Sequence, residues 1–239
     1  MTTATCAQTS VDKFLVEKAP PTIFYIPDFI TKEEEQHLLN NVYSAPKPKW
    51  TQLSNRRLQN WGGLPHAKGM VPENLPQWLS VYAQKIASLR VFDDKVPNHV
   101  LVNEYKPGQG IMPHQDGDLF YPTVSTITLG SHTLLDFYHH INSTDQRSSG
   151  SASLAERHFL SLLLQPRSLV LVKDDMYKVH LHGISERVTD EVTDLIANLD
   201  SCKDAHTGDR LTRETRVSLT IRFVPKVLKT KFLFGKSKR

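Results

Sequence analysis

The chain predicts a mostly β domain with flanking helices, a sandwich or barrel, on three observations. From His99 onward, short apolar or alternating runs follow one another at 99–105, 124–130, 133–138, 161–165, 168–172, 178–182 and 216–223, punctuated by turn residues. Helical periodicity is concentrated upstream of them. A length of 239 residues with 39% hydrophobic content buries one substantial core but is a tight fit for two, so 1–239 is read as a single domain.

In chain order, Thr22 to Ile26 reads as a short strand, and Thr31 with Glu34 forms a capping box that opens a helix running to about Tyr43. From Pro46 to Pro72, Pro, Gly, Lys and Arg mix with Trp50 and Trp61 in no clear period, the composition of an ordered loop or lid. A second helix is predicted near Pro76 to Leu89, where Trp78, Leu79, Tyr82, Ile86 and Leu89 recur on one face. Two polar stretches break the later strand series and read as surface insertions. One is the Ser-rich 141–156; the other is 184–213, where Val192, Leu195, Ile196 and Leu199 suit one short amphipathic helix. No internal repeat is present.

Bulk properties exclude several classes. The two cysteines, Cys6 and Cys202, are too few for a disulfide framework or a Cys-rich zinc site and point to a reducing compartment. No apolar run reaches the ~18 residues of a spanning helix, and the polar N-terminus lacks the pattern of a secretion signal. A soluble protein of the cytoplasm and nucleus is expected. The formal net charge of +4 is modest, but positive residues gather at Lys47, Lys49, Arg56 and Arg57. They gather again in 226–239, at Lys226, Lys229, Lys231, Lys236, Lys238 and Arg239. Solubility alone explains such clusters as readily as a polyanionic partner does.

The chemistry-bearing residues begin with His114-Gln115-Asp116. Two positions apart in an extended segment, His114 and Asp116 leave the same face and can grip one ion. A second histidine from a returning strand would complete a site with two histidines and one carboxylate, leaving positions open for oxygen and a co-substrate. His182, His180, His132, His139 and His140 all compete for that role among 11 histidines. Farther on, alternation puts Arg216, Ser218, Thr220 and Arg222 on one strand face, with Val217, Leu219 and Ile221 on the other. Two arginines on a polar face suit a dicarboxylate, which a guanidinium pairs bidentately. Asn103 and Tyr105 form a similar same-face pair just before the His-x-Asp loop.

Together, Asn103-Glu104-Tyr105, His114-Gln115-Asp116, His182-Gly183-Ile184 and Arg216 through Arg222 resemble, in this order, the AlkB family of dioxygenases. Ser218 departs from the pattern, standing where many members have Asn. The wording at 60–65, 110–114 and 122–132 narrows the resemblance to one animal branch. The resemblance implies a double-stranded β-helix (jelly-roll, cupin-like) over 99–223, with iron(II) held by His114, Asp116 and His182. It implies 2-oxoglutarate and O2 as co-substrates. Arg216 and Tyr105 would take the distal carboxylate of 2-oxoglutarate, with Arg222 and Asn103 nearer its other end and Ser218 also in the co-substrate set.

The family's reaction is oxidative demethylation, in which an N-methyl carbon is hydroxylated and lost as formaldehyde. The resemblance further makes 46–70 a nucleotide-recognition lid, in which Lys49, Arg56 and Arg57 would neutralise phosphates and Trp50 or Trp61 would stack on a base. Asp118 matches a position that touches the base in some members. A monomer acting on nucleic acid, single-stranded or with its base flipped out, is expected. The alternatives are an oxygenase of a protein or small molecule, and an idle binding module that the intact ligand set argues against.

Overall fold

The computed structural model describes residues 11–140 and 153–228. Cys6, most of 141–156 and nearly all of the basic 226–239 segment lie outside the described residues. The first elements are β1 (Ile23–Ile26) and α1 (Lys32–Ser44). The capping box is formed: Glu34 N–H donates to Thr31 Oγ1 at 3.2 Å, and Thr31 N–H donates to Glu34 Oε2 at 2.8 Å. In α2 (Gln77–Ala87), Leu79, Tyr82, Ala83 and Ile86 are buried, the face that the periodicity predicts.

Two antiparallel sheets make the body. The larger has seven strands in the order β1, β11 (Leu169–Lys173), β8 (Thr123–Leu129), β15 (Arg216–Arg222), β6 (His99–Tyr105), β3 (Arg56–Trp61) and β2 (Thr51–Leu53). The smaller runs β10 (His158–Leu164), β9 (Thr133–Tyr138), β12 (Leu181–Ile184) and β7 (Ile111–His114), while β4 (Gly63–Leu64) and β5 (Val71–Pro72) pair apart from both. The outer face of the large sheet, with Val100, Val102, Ile127, Leu169, Leu171, Val217, Leu219 and Ile221, packs on Leu38 and Val42 of α1 and Leu79 and Ile86 of α2. Each such side chain, fully buried, contributes roughly 1.5–3 kcal/mol. Its inner face, with Ile23, Tyr25, Val124, Val170 and Val172, meets Phe137, Leu160, Leu162 and Leu164 of the small sheet. This is the jelly-roll arrangement, and it buries every residue of β15, polar and apolar alike.

Four local expectations change. Half of the supposed aperiodic lid is sheet, because β3 pairs with β6 from Arg57↔Glu104 to Trp61↔Val100. Its period of two escapes a hydrophobicity reading because both faces carry polar groups; on the helix side Gln59 donates to Val42 O at 2.8 Å and Arg57 pairs with Glu104. The 178–182 run divides: α3 (Asp174–Lys178), begun by two aspartates that suit a helix N-terminus, ends before β12 starts. His182 therefore sits inside a strand. β7 is a strand absent from the predicted series, too short and proline-interrupted to register as a run.

The fourth change concerns 184–213, which holds no amphipathic helix. Val192 and Ile196 instead pack with Leu134, Leu163 and Ala205 to cover the outer face of the small sheet, beside the pair β13 (Thr189–Glu191) and β14 (Arg210–Thr212). Leu195 is exposed, and Leu199 begins a single tight turn, Leu199–Ser201. An exposed sheet face needs an apolar cover, and irregular chain supplies it.

Candidate metal and co-substrate centre

His114 and His182 face each other across β7 and β12 as cross-strand partners, their ring centroids 4.6 Å apart. The close approach of these strands depends on Gly183, where a Cβ would lie 3.0 Å from the Ile111 carbonyl oxygen and 3.0 Å from Pro113 N. Asp116 follows just beyond β7. One ligand atom from each of His114, Asp116 and His182 lies within 4.8 Å of the others, and among the described residues no other trio of His, Cys, Asp or Glu converges so closely.

The protonation pattern suits a metal. Nδ1 of His114 lies 2.9 Å from the Met112 carbonyl oxygen; a carbonyl only accepts, so Nδ1 carries the proton and Nε2 keeps its lone pair. Burial pushes the His182 imidazole down to about 4, leaving it neutral at physiological pH. Asp116 Oδ1 accepts from Arg222 Nη2 at 2.9 Å, whereas Oδ2 is buried with no partner. An unsatisfied buried carboxylate oxygen is costly, and a cation between the three side chains removes that cost.

Beside this trio a cavity of about 260 Å³ opens between the sheets. Its large-sheet wall is the polar face of β15 with Asn103 and Tyr105 of β6; Arg216 pairs across with Tyr105, and Ser218 with Asn103. Arg216 is 3% exposed. Its Nη2 donates to Thr128 Oγ1 at 3.0 Å, its Nε is buried without a partner, and no carboxylate among the described residues pairs with it. Burial pulls its guanidinium down to about 10, still charged at neutral pH. The Tyr105 ring lies 5.8 Å from the guanidinium carbon, and burial raises the Tyr105 hydroxyl above its ordinary range, keeping it a neutral donor. A buried, unpaired guanidinium on the cavity wall calls for an anion, and a dicarboxylate that also reaches the metal trio fits the donor set.

The lid residues divide by strand face. Arg56 lines the cavity, its Nε donating to Asn103 Oδ1 at 3.2 Å. Lys49 and Arg57, expected on phosphates, and Trp50 and Trp61, expected to stack on a base, do not line it and are held in contacts of their own. Alternation turns Arg57 and Trp61 of β3 toward the helices. Arg57 makes two bonds to the buried Glu104 carboxylate, at 2.8 and 2.7 Å, with its guanidinium 4.1 Å from the Trp50 ring. Trp61 packs edge-on to Trp78 at 5.5 Å, and Lys49 sits 4.3 Å over Trp61 and 3.4 Å from Glu73. Asp118 is exposed and outside the cavity wall.

Sequence reasoning missed two groups. His99, across from Arg222 on β6, is 1% exposed with both ring nitrogens unpartnered, and burial with the Arg222 charge holds it down to about 3. On the outer face of the small sheet, Asp190 takes two 2.7 Å bonds from Arg213, and Asp136 accepts from Ser161, Ser185 and Arg187. Polar residues in an apparent surface stretch carry no sign that they fold inward.

Facing antiparallel sheets, a two-histidine, one-carboxylate trio and a buried arginine on one cavity define an iron(II)- and 2-oxoglutarate-dependent oxygenase. The profile of the 2OG-Fe(II) oxygenase superfamily matches residues 22–222, and the chain belongs to that superfamily. It is therefore an oxidoreductase that uses iron(II), 2-oxoglutarate and O2. Within the superfamily it is 55% identical, over 226 residues and 95% of each chain, to the zebrafish (Danio rerio) protein named probable RNA/DNA demethylase ALKBH6, the AlkB branch to which the wording at 60–65, 110–114 and 122–132 points. It is 29% identical over 207 residues, 84% of each chain, to protein L905 of Acanthamoeba polyphaga mimivirus. Its fold is similar to the solved structure of OsALKBH1, with a TM-score of 0.53 at 15% identity, covering 85% of this chain and 99% of that one.

Proposed function

We propose that the chain is an oxidative N-demethylase of a nucleic acid base, with His114, Asp116 and His182 holding iron(II) and Arg216 holding the distal carboxylate of 2-oxoglutarate. The observation that carries the co-substrate assignment is the buried, unpaired Arg216 guanidinium on the same cavity as the orphaned Asp116 Oδ2. Bound iron(II) with 2-oxoglutarate supplies oxygen activation coupled to decarboxylation of the keto acid. Arg222 orients Asp116 through its 2.9 Å bond. Asn103 turns its carbonyl oxygen to Arg56, which leaves its amide N–H groups for the keto-acid end, with Ser218 opposite as a further donor. Apolar Leu135, Val170 and Val172 on the wall keep water from the reacting carbon.

The nucleic-acid substrate rests on the similarity to the zebrafish protein and on the guanidinium of Arg56 at the cavity wall. The proposal includes a monomer working in the cytoplasm and nucleus. The test begins with anaerobic iron(II) and 2-oxoglutarate, read by the visible charge-transfer band of the chelate, on wild type and His182→Ala. A band that the substitution abolishes supports the centre; no band in wild type refutes it. Formaldehyde release from methylated oligonucleotides then separates a base demethylase from an oxygenase of proteins or small molecules, which would consume 2-oxoglutarate without that product.

A further inference from the structure

Beyond His182 the inner face of the small sheet continues as a group of rings that the metal centre does not use. β12 and β9 pair antiparallel with His182 opposite Phe137, so alternation keeps His180 and His139 on that same face, one step farther out. Phe159 joins them at the bulge between His158 and Leu160 of β10. The His139 and Phe159 rings are stacked, with centroids 4.3 Å apart at 20°. His180 stands against both, at 5.4 Å from His139 and 4.9 Å from Phe159. His139 is exposed, Phe159 and His180 are half-buried, and Nδ1 of His180 is a buried polar atom without a partner.

Cations flank the rings. Arg157 Nη1 donates to the His139 carbonyl oxygen at 3.2 Å, and its Nε is buried without a partner. Neither Arg157 nor the exposed Lys178 has an ion-pair partner among the described residues. Glu156, next to Arg157, is committed to the Ser153 cap. Among the described residues these imidazoles belong to no trio of converging metal ligands, and the packed rings make stacking their evident chemistry. A partly exposed π-surface beside cations without ion-pair partners matches an unpaired nucleobase and its phosphate. His180 lies two positions before His182, about 6.6 Å along extended chain, a distance that one nucleotide step can span.

We infer that His139, Phe159 and His180 form a stacking subsite for the base next to the one presented to the metal, with Arg157 taking the intervening phosphate. This rests on the nucleic-acid reading above and adds that the preferred substrate is single-stranded around the target, because a paired neighbour cannot leave its stack. The test is fluorescence anisotropy with the full chain loaded with Mn(II) and 2-oxoglutarate, using short single-stranded oligonucleotides, the same oligonucleotides with one abasic nucleotide beside the target, and their duplexes. Phe159→Ala or His139→Ala is expected to weaken single-strand binding roughly 5- to 100-fold, while Phe159→Tyr keeps the affinity. The abasic nucleotide weakens wild type by a similar factor and the alanine variants no further. His139 is exposed, so its variant reports even if Phe159→Ala fails to fold. Unchanged binding by His139→Ala, or an abasic effect that adds fully to that of the variant, overturns the subsite alone. A wild type that binds no oligonucleotide overturns the subsite and the nucleic-acid reading together.

Discussion

Replacing Arg216 by methionine separates stability from function in one experiment. Burial pulls the Arg216 guanidinium from its ordinary, strongly basic value down to about 10, and at about 1.4 kcal/mol for each pH unit the buried charge costs the folded chain roughly 3 kcal/mol. Because the folded value is the lower one, that cost is complete below about pH 10 and is relieved only as the pH climbs above it. At neutral pH it is fully present. Methionine fills similar volume, removes the charge and forfeits the bond to Thr128 Oγ1, worth about 1 kcal/mol. The metal-free, co-substrate-free Arg216→Met chain should therefore be more stable than wild type by about 2 kcal/mol in urea denaturation. Binding moves the other way, because the distal carboxylate loses the buried guanidinium assigned to it. A loss of roughly 3 kcal/mol or more makes 2-oxoglutarate bind at least ~100-fold more weakly in an anaerobic charge-transfer titration. An Arg216→Met chain less stable than wild type by over ~1 kcal/mol would show that the guanidinium is already compensated. Unchanged 2-oxoglutarate affinity would remove Arg216 from the co-substrate site.

Other perturbations read different parts of the molecule. Gly183→Ala places a Cβ against backbone atoms of β7, so β12 must move off and the His114 and His182 rings separate; circular dichroism should remain native while Mn(II) affinity falls ~10- to 100-fold, and unchanged affinity would show that the strands tolerate the shift. Asp190→Asn leaves the buried Arg213 unpaired and should cost about 3–5 kcal/mol without altering 2-oxoglutarate binding. Burial alone would raise Asp190, but His132, Arg213 and Arg187 bring it to about 2. Its contribution is therefore complete above about pH 4 and lost as the pH falls through about 2, a loss that acid denaturation of wild type should show and the variant should lack. Arg57→Ala strands the Glu104 carboxylate, so a fall in thermal midpoint with unchanged oligonucleotide affinity is expected; the reverse would return Arg57 to a phosphate-binding role.

Much of this was legible in the residues, and the failures have identifiable causes. The capping box at Thr31 and Glu34 and the apolar face of α2 are local signals, and they form as read. His114 and Asp116, two apart beside a strand, share a direction by backbone geometry alone. In β3, by contrast, the alternation is hidden, since the residues that turn to the helices include Arg57 and Gln59, whose partners Glu104 and Val42 O lie far away in the chain. Val192 and Ile196 carry the spacing of a helix but cover a sheet, because the need for that cover arises only once the small sheet exists.

By itself, then, the order of residues determined which side chains share a strand face, and so which donors a metal and a dicarboxylate could be offered. Only the tertiary structure decided that the Arg216 face points inward instead of to water, that His182 meets His114 across Gly183, and that Trp50 and Trp61 turn away from the cavity. The physical reason is that alternation sets relative orientation within one strand, whereas burial and pairing between strands depend on which sheets close over one another.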